Sequence, residues 1–441
     1  MKIMKRYNSF IFKLFDLYIV AMSLAMMPTL SAFAISTETD RIWYLAGEAM
    51  KVSVTADDAL IAYAELCDTH GLVAGAVIGL KGGEGAGILE LPSNLHSGYY
   101  VLSVYTRHDA NVNQQLVAVI NPLRRNLNDD IEWVKLADPE SGSFATTDIS
   151  HNTSTLPPST IPVDVRETEG HIIKARIKNV YDGKTYTGSQ ICPSLSIVGK
   201  QIHYFEGKMV NDSTAVFYTF GIHGKQPLVL SAMTSTGVSL PIEMISPFAT
   251  ILPKELPHLV FHYKRSEVEA RSLDMQRHQM SITPAKRELK MGDLSDDTAE
   301  EVVPLEYDEI VLGTKPDLSY NLDEYRQFLT IREVLIEYVL CVKNTKINGV
   351  PRLIVRKEEE RYNSTLPTMV LIDGMPVNDT ERLLQYDARR IHYINIYAGQ
   401  YAFGNSVYNG ILSFITRSGR LTNYPTEPNV QYLVYEFPEL D

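Results

Sequence analysis

The residues of this sequence that could do chemistry are few, and the nearest approach to a metal site is a pair of histidines. His258 and His262 are four residues apart, so their imidazoles would share one face of a helix or of a strand. Glu255 lies close by. A zinc site needs at least three protein ligands, and no third firm ligand accompanies this pair. The pattern favours two surface or packing histidines over a metal site.

Familiar catalytic motifs are absent. The sequence contains neither His-Glu-x-x-His nor Gly-x-Ser-x-Gly, the signatures of zinc proteases and α/β-hydrolases. A glycine-rich run at residues 82–87 lacks the Lys-Ser/Thr pair that completes a phosphate-binding loop. We therefore predict no catalytic residue, no cofactor and no metal, and we expect a protein that is not an enzyme. A hydrolase with an unrecognised site in a sandwich cleft is the least favoured alternative.

The beginning of the sequence indicates export. Four basic residues precede an uncharged stretch over residues 17–34, which ends in Ala32-Phe33-Ala34 with small residues at the two positions that signal peptidase recognises. The stretch is at the short limit of the roughly 17 to 25 residues needed to span a bilayer, and Pro28 interrupts it. A cleaved signal peptide over residues 1–34 is favoured over an uncleaved anchor. We expect no transmembrane span after cleavage, and a location in the periplasm or at the outer membrane of a Gram-negative cell.

Net charge limits the partners that this chain is expected to bind, and cysteine content limits its disulfides. The full sequence has 41 basic and 53 acidic residues. Removal of the signal takes away four basic residues and Asp16, which leaves 37 basic and 52 acidic residues and a net charge of −15. Such an acidic chain is not expected to bind nucleic acid. The three cysteines lie far apart and allow one disulfide at most, and three buried free thiols is the simpler interpretation.

The roughly 400 residues after the signal predict two or three domains. Over residues 35–125, short apolar and aromatic runs alternate with glycine-rich turns, which is typical of a β-sandwich. An aromatic strand that leads into Ala46-Gly47-Glu48, followed later by Gly98-Tyr99-Tyr100, resembles the macroglobulin-type β-sandwich of exported bacterial proteins. Protease-trapping macroglobulins form a thioester between a cysteine and a glutamine three positions later. None of the three cysteines has a glutamine there, so that chemistry is not expected. Four aromatic residues are expected in the sandwich core rather than in a sugar-binding platform: Trp43, Tyr99, Tyr100 and Tyr105.

The middle of the chain divides into three parts. Residues 126–168 are rich in Asp, Ser, Thr and Pro and predict a linker. Residues 169–255 contain period-two alternation and several apolar runs, which predict a second β-sandwich of the carboxypeptidase-regulatory or transthyretin-like type. Residues 256–320 predict a connector with a helix near residues 265–280 and an acidic stretch.

The last block, residues 321–420, carries the most specific pattern. An apolar strand runs into Ile372-Asp373-Gly374, an Ile-x-x-Ile-x-Ile strand follows at residues 391–396, and a further strand begins at Asn409-Gly410. Thr330 and Glu333 form a capping box at the start of a helix, and Asn321 could cap a helical segment over residues 322–328. This order of motifs resembles the plug domain of TonB-dependent receptors, which implies a small α+β fold.

Six residues of this plug-like motif are expected to shape turns and strand ends rather than to catalyse or bind a cofactor: Asp373, Gly374, Pro376, Gly404, Asn409 and Gly410. The fold class expected is thus multidomain and mainly β, with two sandwiches followed by an α+β plug-like domain. Residues 421–441 are expected to be a tail, too short for a transmembrane barrel.

We interpret the chain as a non-catalytic envelope protein that binds or scaffolds other proteins or surface glycans through its β-sandwich and plug-like domains. The alternative is an accessory protein that docks with a separate outer-membrane TonB-dependent transporter barrel. The ligand and the oligomeric state do not follow from the sequence.

Overall fold

The computed structural model describes residues 35–121, 131–135, 159–198, 202–282, 312–347, 350–356, 366–403, 406–419, 421 and 424–440. These residues are mainly strands, which confirms the predicted fold class. The predicted signal peptide, most of the predicted linker and Gly404 lie outside the described residues. In the described part of the chain, no helix is long and apolar enough to cross a membrane.

The first domain is a β-sandwich of a three-stranded and a five-stranded sheet, with strand orders β1-β3-β6 and β2-β8-β7-β4-β5. Alternation explains its packing: Met50, Val52 and Val54 of β3 point into the core, while the residues between them are exposed. Trp43, Tyr100 and Tyr105 are buried as predicted, and Tyr99 is half-buried. The strands are β1 Ser36–Thr39, β2 Trp43–Leu45, β3 Ala49–Thr55, β4 Ile61–Cys67, β5 Leu72–Gly79, β6 Glu84–Glu90, β7 Gly98–Tyr105 and β8 Val112–Ile120.

A parallel pair of strands and a helix pack on the outer face of the five-stranded sheet, over β2 and β8. Strand β9, Ile131–Lys135, pairs with β19, Leu259–Tyr263, and the helix α1, Arg265–Ile282, follows directly. The guanidinium of Arg271 in α1 lies 3.7 Å from the centre of the Trp43 ring and donates a 2.6 Å hydrogen bond to Glu48. The predicted connector helix is therefore present, and it packs against the first domain.

The second domain is a sandwich of two four-stranded sheets, ordered β15-β16-β10-β18 and β14-β13-β17-β27. Its last strand, β27 at Gln431–Phe437, comes from the residues that the sequence analysis assigned to a tail, and it pairs with β17 from Gly224 to Leu230. The other strands are β10 His171–Ile177, β11 Val180–Tyr181, β12 Lys184–Thr185, β13 Ile191–Ile197, β14 His203–Glu206, β15 Lys208–Asn211, β16 Thr214–Thr219, β17 Gly224–Thr234 and β18 Ile242–Met244; β11 and β12 form a separate small hairpin.

The third domain is a five-stranded sheet, ordered β20-β25-β26-β23-β24, with two short helices and a hairpin formed by β21 and β22. The Thr330 capping box is confirmed, since Thr330 and Glu333 bond to each other's backbone N–H. Asn321 caps a 3₁₀ helix, Leu322–Glu324, which is shorter than predicted. The elements are β20 Leu318–Asn321, α2 Ile331–Glu337, β21 Val342–Ile347, β22 Val350–Val355, β23 Met369–Ile372, β24 Met375–Pro376, α3 Thr380–Gln385, β25 Ile391–Phe403 and β26 Ser406–Thr416.

Residues of each domain pack against a neighbouring domain. Val198 and Val229 of the second sandwich belong to the hydrophobic core of the third domain. Past β27 the chain returns to the first sandwich, where a Cβ added to Gly79 would lie 1.6 Å from the carbonyl oxygen of Glu439. Leu440 packs there as well. Each domain is therefore in contact with another through buried side chains or closely packed backbone.

Candidate functional site

The Asp373-Gly374 pair forms the two-residue turn between β23 and β24. Both residues have positive φ, +46° and +80°, which suits a hairpin turn of this length. The buried Asp373 carboxylate accepts hydrogen bonds from the backbone N–H and hydroxyl of Thr416, at 2.8 and 2.6 Å, and from the N–H of Leu421 at 2.8 Å. Asp373 thus anchors the end of β26 and the chain that follows.

The same turn is covered by the second sandwich. A Cβ added to Gly374 would lie 2.0 Å from Cγ2 of Ile202, so only glycine permits this approach without a shift. Pro376 is half-buried in β24. The turn at the centre of the sequence motif, residues 372–374, is therefore an internal packing surface.

The other motif residues hold the neighbouring strands. The N–H of Asn409 donates to the carbonyl of Pro367 at 2.8 Å, and its carbonyl accepts from the Thr368 hydroxyl at 2.9 Å. Gly410 has φ +85°, and a Cβ there would lie 2.8 Å from Cβ of Val355. The structure does not gather the described motif residues around a cleft.

The histidine pair lies apart from these residues. His258 precedes β19 and His262 is in it, and both side chains are exposed. Within the described residues, no group of three or more His, Cys, Asp or Glu side chains is arranged to hold a metal ion.

A cluster of buried ionisable groups joins the two sandwiches, and sequence reasoning missed it. We call it the junction network: Tyr63, Arg107, Glu167, His171 and Tyr435. The Glu167 carboxylate accepts hydrogen bonds from the Tyr63 hydroxyl at 2.7 and 2.8 Å and from Arg107 at 3.1 Å. His171 Nδ1 lies 3.0 Å from the same carboxylate, and its Nε2 lies 2.6 Å from the Tyr435 hydroxyl.

The hydrogen bonds and charges of the network define its protonation states. Burial opposes ionisation of Glu167, but the His171 hydrogen bond and the Arg107 charge outweigh it and lower the pKa of the carboxyl. Burial lowers the pKa of His171, despite the opposing effect of Glu167. A neutral imidazole beside a carboxylate must donate from Nδ1, which leaves Nε2 to accept from Tyr435. At neutral pH the network therefore pairs one anion, Glu167, with one cation, Arg107.

A second buried carboxylate, Glu65, attaches the segment that follows β18 to the first sandwich. Its oxygens accept the backbone N–H groups of Thr250 at 2.9 Å and Ile251 at 2.6 Å. The hydroxyl of Tyr105 donates to Glu65 and accepts the N–H of Ala249 at 2.7 Å. Together with the junction network, these bonds hold the two sandwiches to each other.

A cleft of about 400 Å³ opens beside the junction network. We call it the junction cleft. Its walls come from the first sandwich and from the segment before β10: Asp58, Ala59, Leu60, Ile61, Gly82, Gly83, Arg107, His108, Arg166, Glu167 and Thr168. Clefts of this volume at domain boundaries commonly hold small ligands.

The signal for this site in the sequence is weak. Glu167 and His171 are four residues apart, but Tyr63 and Arg107 belong to another domain and Tyr435 lies 264 residues after His171. Only the paired sheets bring these residues together.

Comparison with known proteins shows no family. No protein-family model matches the chain, and the comparison with curated proteins found no match. Among solved structures, Escherichia coli alpha-2-macroglobulin activated by porcine elastase is similar at a TM-score of 0.19 and 11% identity, over 50% of this chain and 20% of that chain. The trypsin-activated Escherichia coli protein gives 0.18 and 12%, over 49% and 16%. Salmonella alpha-2-macroglobulin reacted with methylamine gives 0.18 and 11%, over 48% and 14%.

This chain therefore spans a fifth or less of the length of these macroglobulins. TM-scores this low do not establish a shared fold. The assignment of two β-sandwiches depends on the sheets described above.

Proposed function

We propose that this chain is a non-catalytic binding and scaffolding protein of the bacterial cell envelope. The observation that carries the proposal is the interlocking of its domains. Strand β27 follows the third domain in sequence yet completes the second sandwich, and the next residues, Glu439 and Leu440, contact the first. A chain folded back in this way holds its surfaces at fixed relative positions, which suits a scaffold.

The junction network supports a structural role over a catalytic one. Its Glu167 and His171 side chains are 4% and 2% exposed, and their oxygens and ring nitrogens are bonded to other groups of the network. Burial raises the pKa of the Tyr63 and Tyr435 hydroxyls, which keeps them protonated and poor nucleophiles. General acid–base groups must reach the reacting atoms, whereas these groups face one another.

Exposed apolar side chains on the third domain support partner binding there. Leu329, Ile336 and Leu340 are 63%, 64% and 78% exposed. All three lie in α2 or within three residues of its ends, and exposed apolar surface can mark an interaction site. We assign the third domain as the part that contacts the partner.

Site-specific photocrosslinking in intact cells tests this proposal. A photoreactive amino acid at Leu340 should give a reproducible adduct with one envelope protein. The same substitution at Ile88 of the first sandwich or Val210 of the second, which are 60% and 65% exposed, serves as a matched control. Equal adduct patterns from all three positions, or none from Leu340, would count against binding through the third domain.

The alternative function is docking with a separate outer-membrane TonB-dependent barrel. It is favoured by the plug-like order of motifs around Asp373, but the contact of Gly374 with Ile202 counts against insertion of this turn into a barrel lumen. Docking through an outer face of the third domain is the form that fits. A Leu340 adduct with such a barrel would favour this function over the first.

A further inference from the structure

The junction cleft offers hydrogen-bond donors that the scaffolding role does not use. Arg166 donates to the backbone carbonyl of Asp58 at 2.6 Å and to its carboxylate, both through the single nitrogen Nη2. A guanidinium carries five N–H donors. The Arg166 side chain is 44% exposed, so Nε and Nη1 keep donors for a ligand.

His108 and a glycine turn add further donors. The half-buried His108 ring makes no hydrogen bond to another described residue. Gly82 and Gly83, with φ +62° and +85°, form the tight turn between β5 and β6 at the cleft wall. A backbone turn of this kind can present N–H groups to an anion. Burial and the charge of Arg166 lower the pKa of His108, against the opposing charges of Asp109, Asp58 and Glu167.

Both carboxylates of the cleft walls already have a cationic or hydrogen-bonding partner. The Glu167 oxygens receive bonds from Tyr63, Arg107 and the N–H of Ile172. Asp58 is paired with Arg166. Arg166, His108 and the glycine turn keep donors that these two carboxylates do not use, which is the arrangement that an anion requires.

We propose that the junction cleft binds one small anionic group, a carboxylate or a phosphate. Arg166 supplies the charge, His108 a further donor, and Leu60 and Ile61 an apolar wall for the rest of the ligand. Because the walls come from the first sandwich and from the segment before β10, the bound anion also holds that segment in place. This inference does not depend on the scaffolding proposal.

Titration calorimetry on the chain from residue 35 onward tests the proposal, with inorganic phosphate, sulfate and acetate as probes. Saturable binding of at least one probe is expected, and Arg166→Gln should weaken it about tenfold or more. Arg176→Gln is the matched control, since it removes an equal charge from an exposed site in β10 and should leave affinity unchanged. Cosedimentation with phosphatidylglycerol vesicles distinguishes the sources: binding to vesicles but to no free anion assigns a lipid headgroup.

Asp58→Asn should change the affinity for the anion in the opposite direction from Arg166→Gln. Asparagine tolerates the φ of +57° at this position, and loss of the carboxylate frees Arg166 for the ligand. Affinity should therefore rise severalfold, which general damage to the fold would not produce. The proposal is overturned if neither the free anions nor the vesicles bind, if Arg166→Gln behaves like Arg176→Gln, or if Asp58→Asn weakens binding.

Discussion

Replacement of Glu167 by alanine should destabilise this chain far more than loss of an exposed ion pair. The substitution removes the acceptor of bonds from Tyr63, Arg107, His171 and the N–H of Ile172. Arg107, only 9% exposed, would remain as an unpaired buried cation. Breaking a buried pair from one side costs about 3–5 kcal/mol. We expect that loss in the free energy of unfolding for the transition that separates the two sandwiches.

Urea unfolding measures this loss, and amide hydrogen exchange at Ile172 locates it. Glu436→Ala is the control, since its pair with Lys225 spans 3.7 Å between side chains that are 69% and 56% exposed, and such pairs contribute about 0–1 kcal/mol. Glu167→Ala combined with Arg107→Ala should cost less than the sum of the single substitutions, because no charge is left unpaired. Our reasoning is refuted if Glu167→Ala costs no more than Glu436→Ala and exchange at Ile172 is unchanged.

Three further predictions concern the turn, the thiols and pH. Gly374→Ala should cost about 1–3 kcal/mol more than Gly313→Ala in thermal unfolding, because both have positive φ but only Gly374 faces Ile202. None of the three cysteines forms a disulfide, and burial raises the pKa of Cys67 to about 12. A thiol reagent should therefore count three thiols in unfolded protein and leave Cys67 unmodified in the native state; a count of one would indicate a disulfide. The pKa of Glu167 is lowered on folding, so its stabilisation is complete above the ordinary value of 4.5 and lost as pH falls through the folded value. The pKa of its partner His171 is lowered from 6.5 on folding, so the unfolded chain takes up this proton first and stability already begins to fall as the pH drops through 6.5. Melting temperature should fall with acidification from about pH 6.5. Below about pH 4.5 it should fall less steeply in Glu167→Ala than in the unsubstituted chain, and parallel curves in that range would contradict this.

Local signals in the sequence predicted local structure well. The Thr330 capping box depends on residues three positions apart, and the alternation in β10 on residues two apart, so each could be found without knowledge of the fold. The Asp373-Gly374 turn is likewise a dipeptide property. Its carboxylate, however, bonds to Thr416 and Leu421, more than 40 residues away. The sequence could indicate the turn but not what it anchors.

The junction network shows why the candidate site was not predicted. A buried carboxylate is tolerated only where partners converge on it, and those of Glu167 come from strands of two different sandwiches. Strand β27 presents the same difficulty. Its residues are rich in Tyr, Val and Phe, as strands often are, but its pairing with β17 bridges about two hundred residues of intervening chain. Neither the alternation of apolar residues nor strand propensity indicates which strands pair across so many intervening residues.

The place of β27 changes how the third domain should be tested. Strand β18 ends at Met244 and β27 begins at Gln431, so the third domain is inserted within the second sandwich rather than appended to it. Tyr435 and Phe437 belong to the core of that sandwich, and Val198 and Val229 belong to the core of the third domain. Deletion of residues 321–420 would therefore expose apolar surface on the second sandwich and change the path of the chain to β27. Loss of function after such a deletion would not separate a missing interaction surface from a damaged scaffold. Substitution of an exposed residue such as Leu340 removes only the surface, and for this reason it is the experiment that can assign a role to the third domain.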